Sequence, residues 1–109
     1  MHELGITRNI VSIVAEAAGT STVARVSVKI GEFTAVFPDA LLFCFETCTK
    51  DTVLENATLD IITVSGRLQC ADCSNEFDSK TPYGQCACGS RRLHCLQGEE
   101  LLIHEMELV

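Results

Sequence analysis

Residues 66–98 read GRLQCADCSNEFDSKTPYGQCACGSRRLHCLQG, and this stretch divides the chain in two. It holds five of the seven cysteines, few branched aliphatic residues and a series of turn formers, Asp72, Asn75, Pro82, Gly84 and Gly89. Such a segment lacks the apolar surface to fold alone and calls for a staple. Cys70-Ala71-Asp72-Cys73 has the spacing of a knuckle, in which two sulfurs reach one tetrahedral metal. After twelve intervening residues comes Cys86-Ala87-Cys88-Gly89, one residue tighter than usual, with Gly89 supplying the backbone freedom the turn needs. Two such pairs at ribbon-like separation indicate a four-cysteine zinc site formed by Cys70, Cys73, Cys86 and Cys88. Tetrahedral sulfur suits iron as well as zinc, so a rubredoxin-like centre is the chemical rival. A redox Cys-x-x-Cys is disfavoured because no strand–helix context surrounds it. A site with four protein ligands leaves no position open for substrate, so its role is structural.

On either side the periodicity is regular. Ile6, Ile10, Ile13, Val14 and Ala17 recur at helical spacing and predict a helix over 4–18, capped by Gly19. Val26, Val28 and Ile30 alternate with Arg25, Ser27 and Lys29, predicting a half-buried strand over 23–30. Pro38 and Asp39 suit the first turn of a second helix over 38–50, on which Leu41, Cys44, Phe45 and Cys48 share a face. Cys44 and Cys48 read as small buried hydrophobes. Residues 57–64 and the terminal LLIHEMELV read as two further strands, the last with apolar residues on both faces. The expected architecture is α+β: two helices against a three-stranded sheet, with a four-cysteine zinc-ribbon module inserted before the last strand. The expected domains are 1–65 with 99–109, and 66–98.

Composition narrows the function. The formal net charge is −7, with only eight Lys and Arg, so nucleic acid, which needs a positive face, is not an expected partner. No apolar run approaches a membrane span, and Glu3, Arg8 and Glu16 interrupt any leader-like segment. A cytoplasmic location with reduced cysteines is expected, which favours metal ligation over disulfides. No nucleophile–base pair, phosphate loop or open-sided metal set points to an enzyme.

The amino terminus, Met1-His2-Glu3, adds a second metal chemistry. A terminal amine, the following amide nitrogen and the His2 imidazole close fused chelate rings, a nitrogen-rich arrangement that favours Ni(II) or Cu(II). Glu3 offers an oxygen ligand or a partner that orients the imidazole. Met1 is expected to be retained, because His is large for a second residue. Chemistry alone leaves a solvated histidine as the alternative.

Taken in order, several segments resemble the HypA/HybF family. They are Met1-His2-Glu3-Leu4, Val28-Lys29-Ile30-Gly31-Glu32-Phe33, Pro38-Asp39-Ala40-Leu41, Phe43-Cys44-Phe45-Glu46, Cys70-x-x-Cys73, Cys88-Gly89-Ser90, Gly98-Glu99-Glu100-Leu101 and Met106-Glu107. The resemblance covers nearly the whole chain. It implies a nickel metallochaperone for NiFe-hydrogenase maturation, with transported Ni(II) at His2, Glu3 beside it, and a structural Zn(II) ribbon. The implied partners are the GTPase HypB and the hydrogenase large subunit, with the urease maturation proteins in some organisms; monomer and homodimer both stay open. One departure stands out. In the family register Gln85 occupies a cysteine position and Cys86 the proline position, so Cys86 or else Cys95 supplies the fourth zinc ligand.

Overall fold

The computed structural model describes residues 2–109. It is an α+β fold with helices α1 (Glu3–Ala18) and α2 (Pro38–Cys48), a single 3-10 turn (Glu32–Thr34) and six strands. The strands are β1 (Val23–Gly31), β2 (Thr58–Val64), β3 (Arg67–Cys70), β4 (Glu76–Asp78), β5 (Leu93–Gln97) and β6 (Leu101–Leu108). They form two three-stranded sheets, ordered β2-β1-β6 and β4-β3-β5. By compactness the chain divides into two units. One runs to Val28 and takes in Val36–Ile62 and Leu102–Val109; the other is Lys29–Ala35 with Thr63–Leu101.

In the first unit α1 packs on α2. The buried stripe of α1 is Thr7, Ile10, Val11, Val14 and Ala18, rotated from the expected one, and Ile13 is 57% exposed. Thr7 explains the rotation. Its Oγ1–H donates to the Glu3 carbonyl at 2.7 Å, so the hydroxyl is satisfied and the residue is free to sit inside. Gly19 follows the helix with φ of 63°, its N–H closing onto the Ala15 carbonyl at 3.0 Å. Helix α2 starts at Pro38 but ends two residues short of the expected Lys50. The Thr49 hydroxyl and N–H both turn back onto the Phe45 carbonyl, which ends the ladder there. Leu41 and Phe45 are buried, whereas Cys44 and Cys48, expected inside, are only half-buried. Central strand β1 buries Val26, Val28 and Ile30 as its alternation demands, and Ser27 as well. Arg25 faces outward and pairs with Asp60 of β2 and with Glu107 of β6. These cross-strand pairs tie both flanking strands to the polar face of the central one.

The second unit holds more regular structure than its turn-rich sequence suggests. Strand β3 is its centre, pairing antiparallel with β4 (Leu68 opposite Phe77) and with β5 (Leu68 opposite Cys95, Cys70 opposite Leu93). Between Arg67 and Gln97 only Leu68, Cys70 and Cys86 are buried. Residues 29–35 complete the unit through Glu32 and Phe33. A side chain at Gly66 would stand 2.3 Å from the Phe33 ring, and one at Gly98, where φ is 121°, would stand 2.7 Å from it. Both positions therefore require glycine. Glu32 holds the same corner: its Oε1 accepts the Gly66 N–H at 3.0 Å, and its Oε2 lies 3.3 Å from Lys80 Nζ.

These contacts set a pH dependence. The Gly66 N–H, then Lys80, holds the Glu32 carboxyl below its ordinary value of 4.5. A depressed carboxyl contributes stability above its unfolded value and loses it as pH falls through the folded one. The urea midpoint of the native chain should therefore exceed that of Glu32→Gln most near pH 7, with the gap closing toward pH 3. Measuring both proteins at each pH cancels acid losses common to the two. A gap that stays constant or widens contradicts this role for Glu32.

Candidate metal centre

Two turns bring the thiols together. In the first, the Ser74 N–H donates to the Cys70 carbonyl and the Cys70 N–H to the Asn75 carbonyl, both at 2.9 Å, with Ser74 at φ of 64°. In the second, the Gly89 N–H donates to the Cys86 carbonyl at 2.8 Å and the Cys86 N–H to the Ser90 carbonyl at 2.9 Å. Gly89 has φ of 94°, which lets the chain reverse within the shortened Cys86-x-Cys88 spacing.

The result is one cluster. The Sγ atoms of Cys70, Cys73, Cys86 and Cys88 all lie within 4.8 Å of one another. Cys70 and Cys88 are 3.7 Å apart and Cys73 and Cys86 3.5 Å apart. Tetrahedral zinc with Zn–S bonds of about 2.3 Å separates its sulfurs by roughly 3.8 Å, so the donor set fits that ion in type, number and spacing. Among the described residues no other group of three or more Cys, His, Asp or Glu is so placed.

The protonation pattern points the same way. The amides of Cys73 and, less strongly, Asp72 favour the Cys70 thiolate; against the cost of burial they bring its thiol down to about 6. The Asn75 N–H favours the thiolate of Cys73 too, but competition from Cys86, with desolvation, outweighs it and pushes that thiol up to about 12. At Cys88 the Ser90 N–H is likewise overcome by the neighbouring Cys70 and Cys86 thiols, and its value rises. Within the cluster Cys70 thus ionises readily, whereas Cys73 and Cys88 resist it. Positive charge at its centre reverses that resistance.

The other singled-out residues lie elsewhere. Cys95 is exposed on β5 with its Sγ 3.4 Å from the Gln97 carbonyl, outside the cluster, so Cys86 supplies the fourth thiol. Gln85 is exposed and its Nε2 donates to the Gly89 carbonyl at 2.8 Å. Two histidines outside these motifs, His94 and His104, are exposed. At the amino terminus Met1 lies outside the described residues. His2 is exposed at the N-cap of α1, and its carbonyl accepts the Ile6 N–H at 3.1 Å. Glu3 Oε2 accepts the Phe37 N–H at 3.1 Å; that bond, then the residue's own N–H, lowers the pKa of its carboxyl. Glu3 thus links the start of α1 to the N-cap of α2.

A family model described as "Hydrogenase/urease nickel incorporation, metallochaperone, hypA" matches residues 1–108. The chain belongs to the HypA family. It is 50% identical to the hydrogenase maturation factor HypA of Trichodesmium erythraeum, over 99% of this chain and 96% of that one. It is 43% identical to the HypA of Geobacter metallireducens, over 99% of both. The solution structure of the nickel metallochaperone HypA from Helicobacter pylori superposes with a TM-score of 0.68 at 29% identity, covering 100% of this chain and 98% of that one. A second HypA solution structure gives a TM-score of 0.72 at 30% identity, over 100% and 97%.

Beside this HypA-family cluster, Arg92 is readable from the sequence as a cation that offsets thiolate charge, whereas the contact between Asp72 and Ser90 has no motif to signal it. Asp72 Oδ1 lies 3.0 Å from Arg92 Nη1, and Asp72 Oδ2 accepts the Ser90 hydroxyl. Asp72 lies between the first two cysteines and Ser90 follows Cys88-Gly89, but nothing in their spacing announces a pair.

The fourth thiol is testable by substitution. Cys86→Ser should weaken zinc retention well beyond the roughly 10–100-fold typical of changing a group that only supports a ligand. Cys95→Ser should leave it unchanged, as read by competition with a chromogenic chelator. The opposite ranking would place Cys95 at the metal.

Proposed function

We propose that this chain is a nickel metallochaperone of NiFe-hydrogenase maturation, carrying transported Ni(II) at its amino terminus and a structural Zn(II) on Cys70, Cys73, Cys86 and Cys88. The observation that carries the proposal is the family match over residues 1–108, which takes in the Met1-His2-Glu3 start. Exposure of His2 at the open end of α1 supports it, because a cargo ion has to be reached by the protein that receives it. In this reading the ligands are the His2 imidazole, the Met1 amine and an intervening amide nitrogen. Nitrogen donors of this kind suit Ni(II). Glu3, ionised and held by the Phe37 N–H, fixes the backbone that presents His2.

Delivery follows from the small number of protein ligands. A site built on one terminal segment leaves coordination positions open, so an incoming ligand replaces the outgoing ones stepwise. Protons compete with the metal for the imidazole and the amine, so nickel affinity falls as the solution is acidified. When bound, zinc supplies a closed, redox-inert crosslink for residues 63–101. The role is carriage rather than catalysis, and its setting is the cytoplasm. No helix among the described residues is long and apolar enough to cross a membrane. The partners proposed are the HypB GTPase and the hydrogenase large subunit, with urease maturation as a second destination.

Metal analysis and nickel titration of the untagged full chain test the proposal. The expected result is one tightly held zinc and one exchangeable nickel, with His2→Ala losing the nickel while keeping the zinc and the fold. Stoichiometric nickel retained by His2→Ala, or a red, iron-loaded protein, contradicts it.

A further inference from the structure

We propose that the Asp72–Ser90 pair is a positioning bridge that locks the two cysteine turns together and slows metal loss from the cluster. The proposal rests on reading the four thiols as a zinc site. Its basis is a repeated geometry on the two turns. Asp72 stands two residues after the Cys70 sulfur on the first turn, and Ser90 two residues after the Cys88 sulfur on the second. Those sulfurs are the pair 3.7 Å apart. The side chains of the same two residues then meet, the Ser90 hydroxyl donating to Asp72 Oδ2. Each turn therefore holds the other through the residue two places after one of these two cysteines.

Arg92 completes the arrangement. Its N–H donates to Ser90 Oγ at 3.1 Å, so the hydroxyl both donates and accepts, and its rotation is fixed. Its guanidinium lies 3.0 Å from Asp72 Oδ1, which offsets a carboxylate placed close to thiolates. Its carbonyl accepts the Ala71 N–H at 2.8 Å, a backbone link that survives any of the substitutions below. The Asp72 and Arg92 side chains are 44% and 76% exposed, so the ion pair alone contributes little to stability. The effect of the bridge is on opening. For the metal to leave, the tight Cys86-x-Cys88 turn must peel away from Cys70 and Cys73, and the Asp72–Ser90 bond must break for it to do so.

Release of zinc from the full chain to excess chromogenic chelator reads this directly, alongside the visible spectrum of the cobalt(II)-substituted protein. Asp72→Ala and Ser90→Ala should each speed release about tenfold and alter the cobalt ligand-field bands. The double variant should be no faster than either single one, because each already breaks the same Asp72–Ser90 bond and the exposed Arg92 contacts add little. Asp72→Asn keeps an oxygen for the Ser90 hydroxyl and loses the charge facing Arg92. It should restore the native cobalt spectrum and release zinc within about threefold of the native rate. Rates within twofold of native for both alanine variants, or single effects that multiply in the double, overturn the bridge and leave the zinc reading intact. A native protein that holds no zinc and takes up no cobalt overturns both.

Discussion

The convergence of four thiols within 4.8 Å is the constraint on which residues 63–101 depend. Between Arg67 and Gln97 the chain buries one large aliphatic side chain, Leu68, and two cysteines, Cys70 and Cys86. Strands of three to five residues add few ladder bonds, and the surface pairs Arg67–Asp78 and Arg92–Asp72 are individually weak. Neither contribution suffices to order so many turns. A structural zinc contributes on the order of 10 kcal/mol to the folding of such modules, and the thiols are arranged to receive that ion.

The first unit is stabilised differently. Its core of Ile10, Val11, Val14, Val23, Val26, Leu41 and Leu54 is ordinary hydrophobic burial. In the proposed function its contribution lies at its edge, where α1 opens with His2 exposed and Glu3 bound to the Phe37 N–H. A rigid helix start is a suitable support for a cargo site. It presents few ligands in a fixed direction without enclosing the ion.

Much of this was legible in the residues, and the exceptions have physical causes. The two cysteine pairs were readable because ligand spacing is a local property. The cluster of Cys70, Cys73, Cys86 and Cys88 follows from it, although the choice of Cys86 over Cys95 needed the turn closed by Gly89. The stripe on α1 was misplaced because hydropathy does not register a threonine whose hydroxyl is satisfied by its own helix, as in Thr7. Cys44 and Cys48 share a face with Leu41 and Phe45 but stay half-buried, since the face is wider than the contact it makes. Strands β3, β4 and β5 were invisible because they are short and polar, and their register is set by distant pairing. The Glu32 and Phe33 contacts with Gly66 and Gly98, and the Asp72–Ser90 bridge, are long-range in the same sense.

The central claim is that four thiolates, and no other donors, hold a zinc ion. X-ray absorption at the zinc edge of the purified full chain tests it most directly. The account predicts a single shell of four sulfurs at about 2.3 Å with no nitrogen or oxygen neighbour. A shell of three or fewer sulfurs completed by a lighter atom, or the absence of zinc, would contradict it.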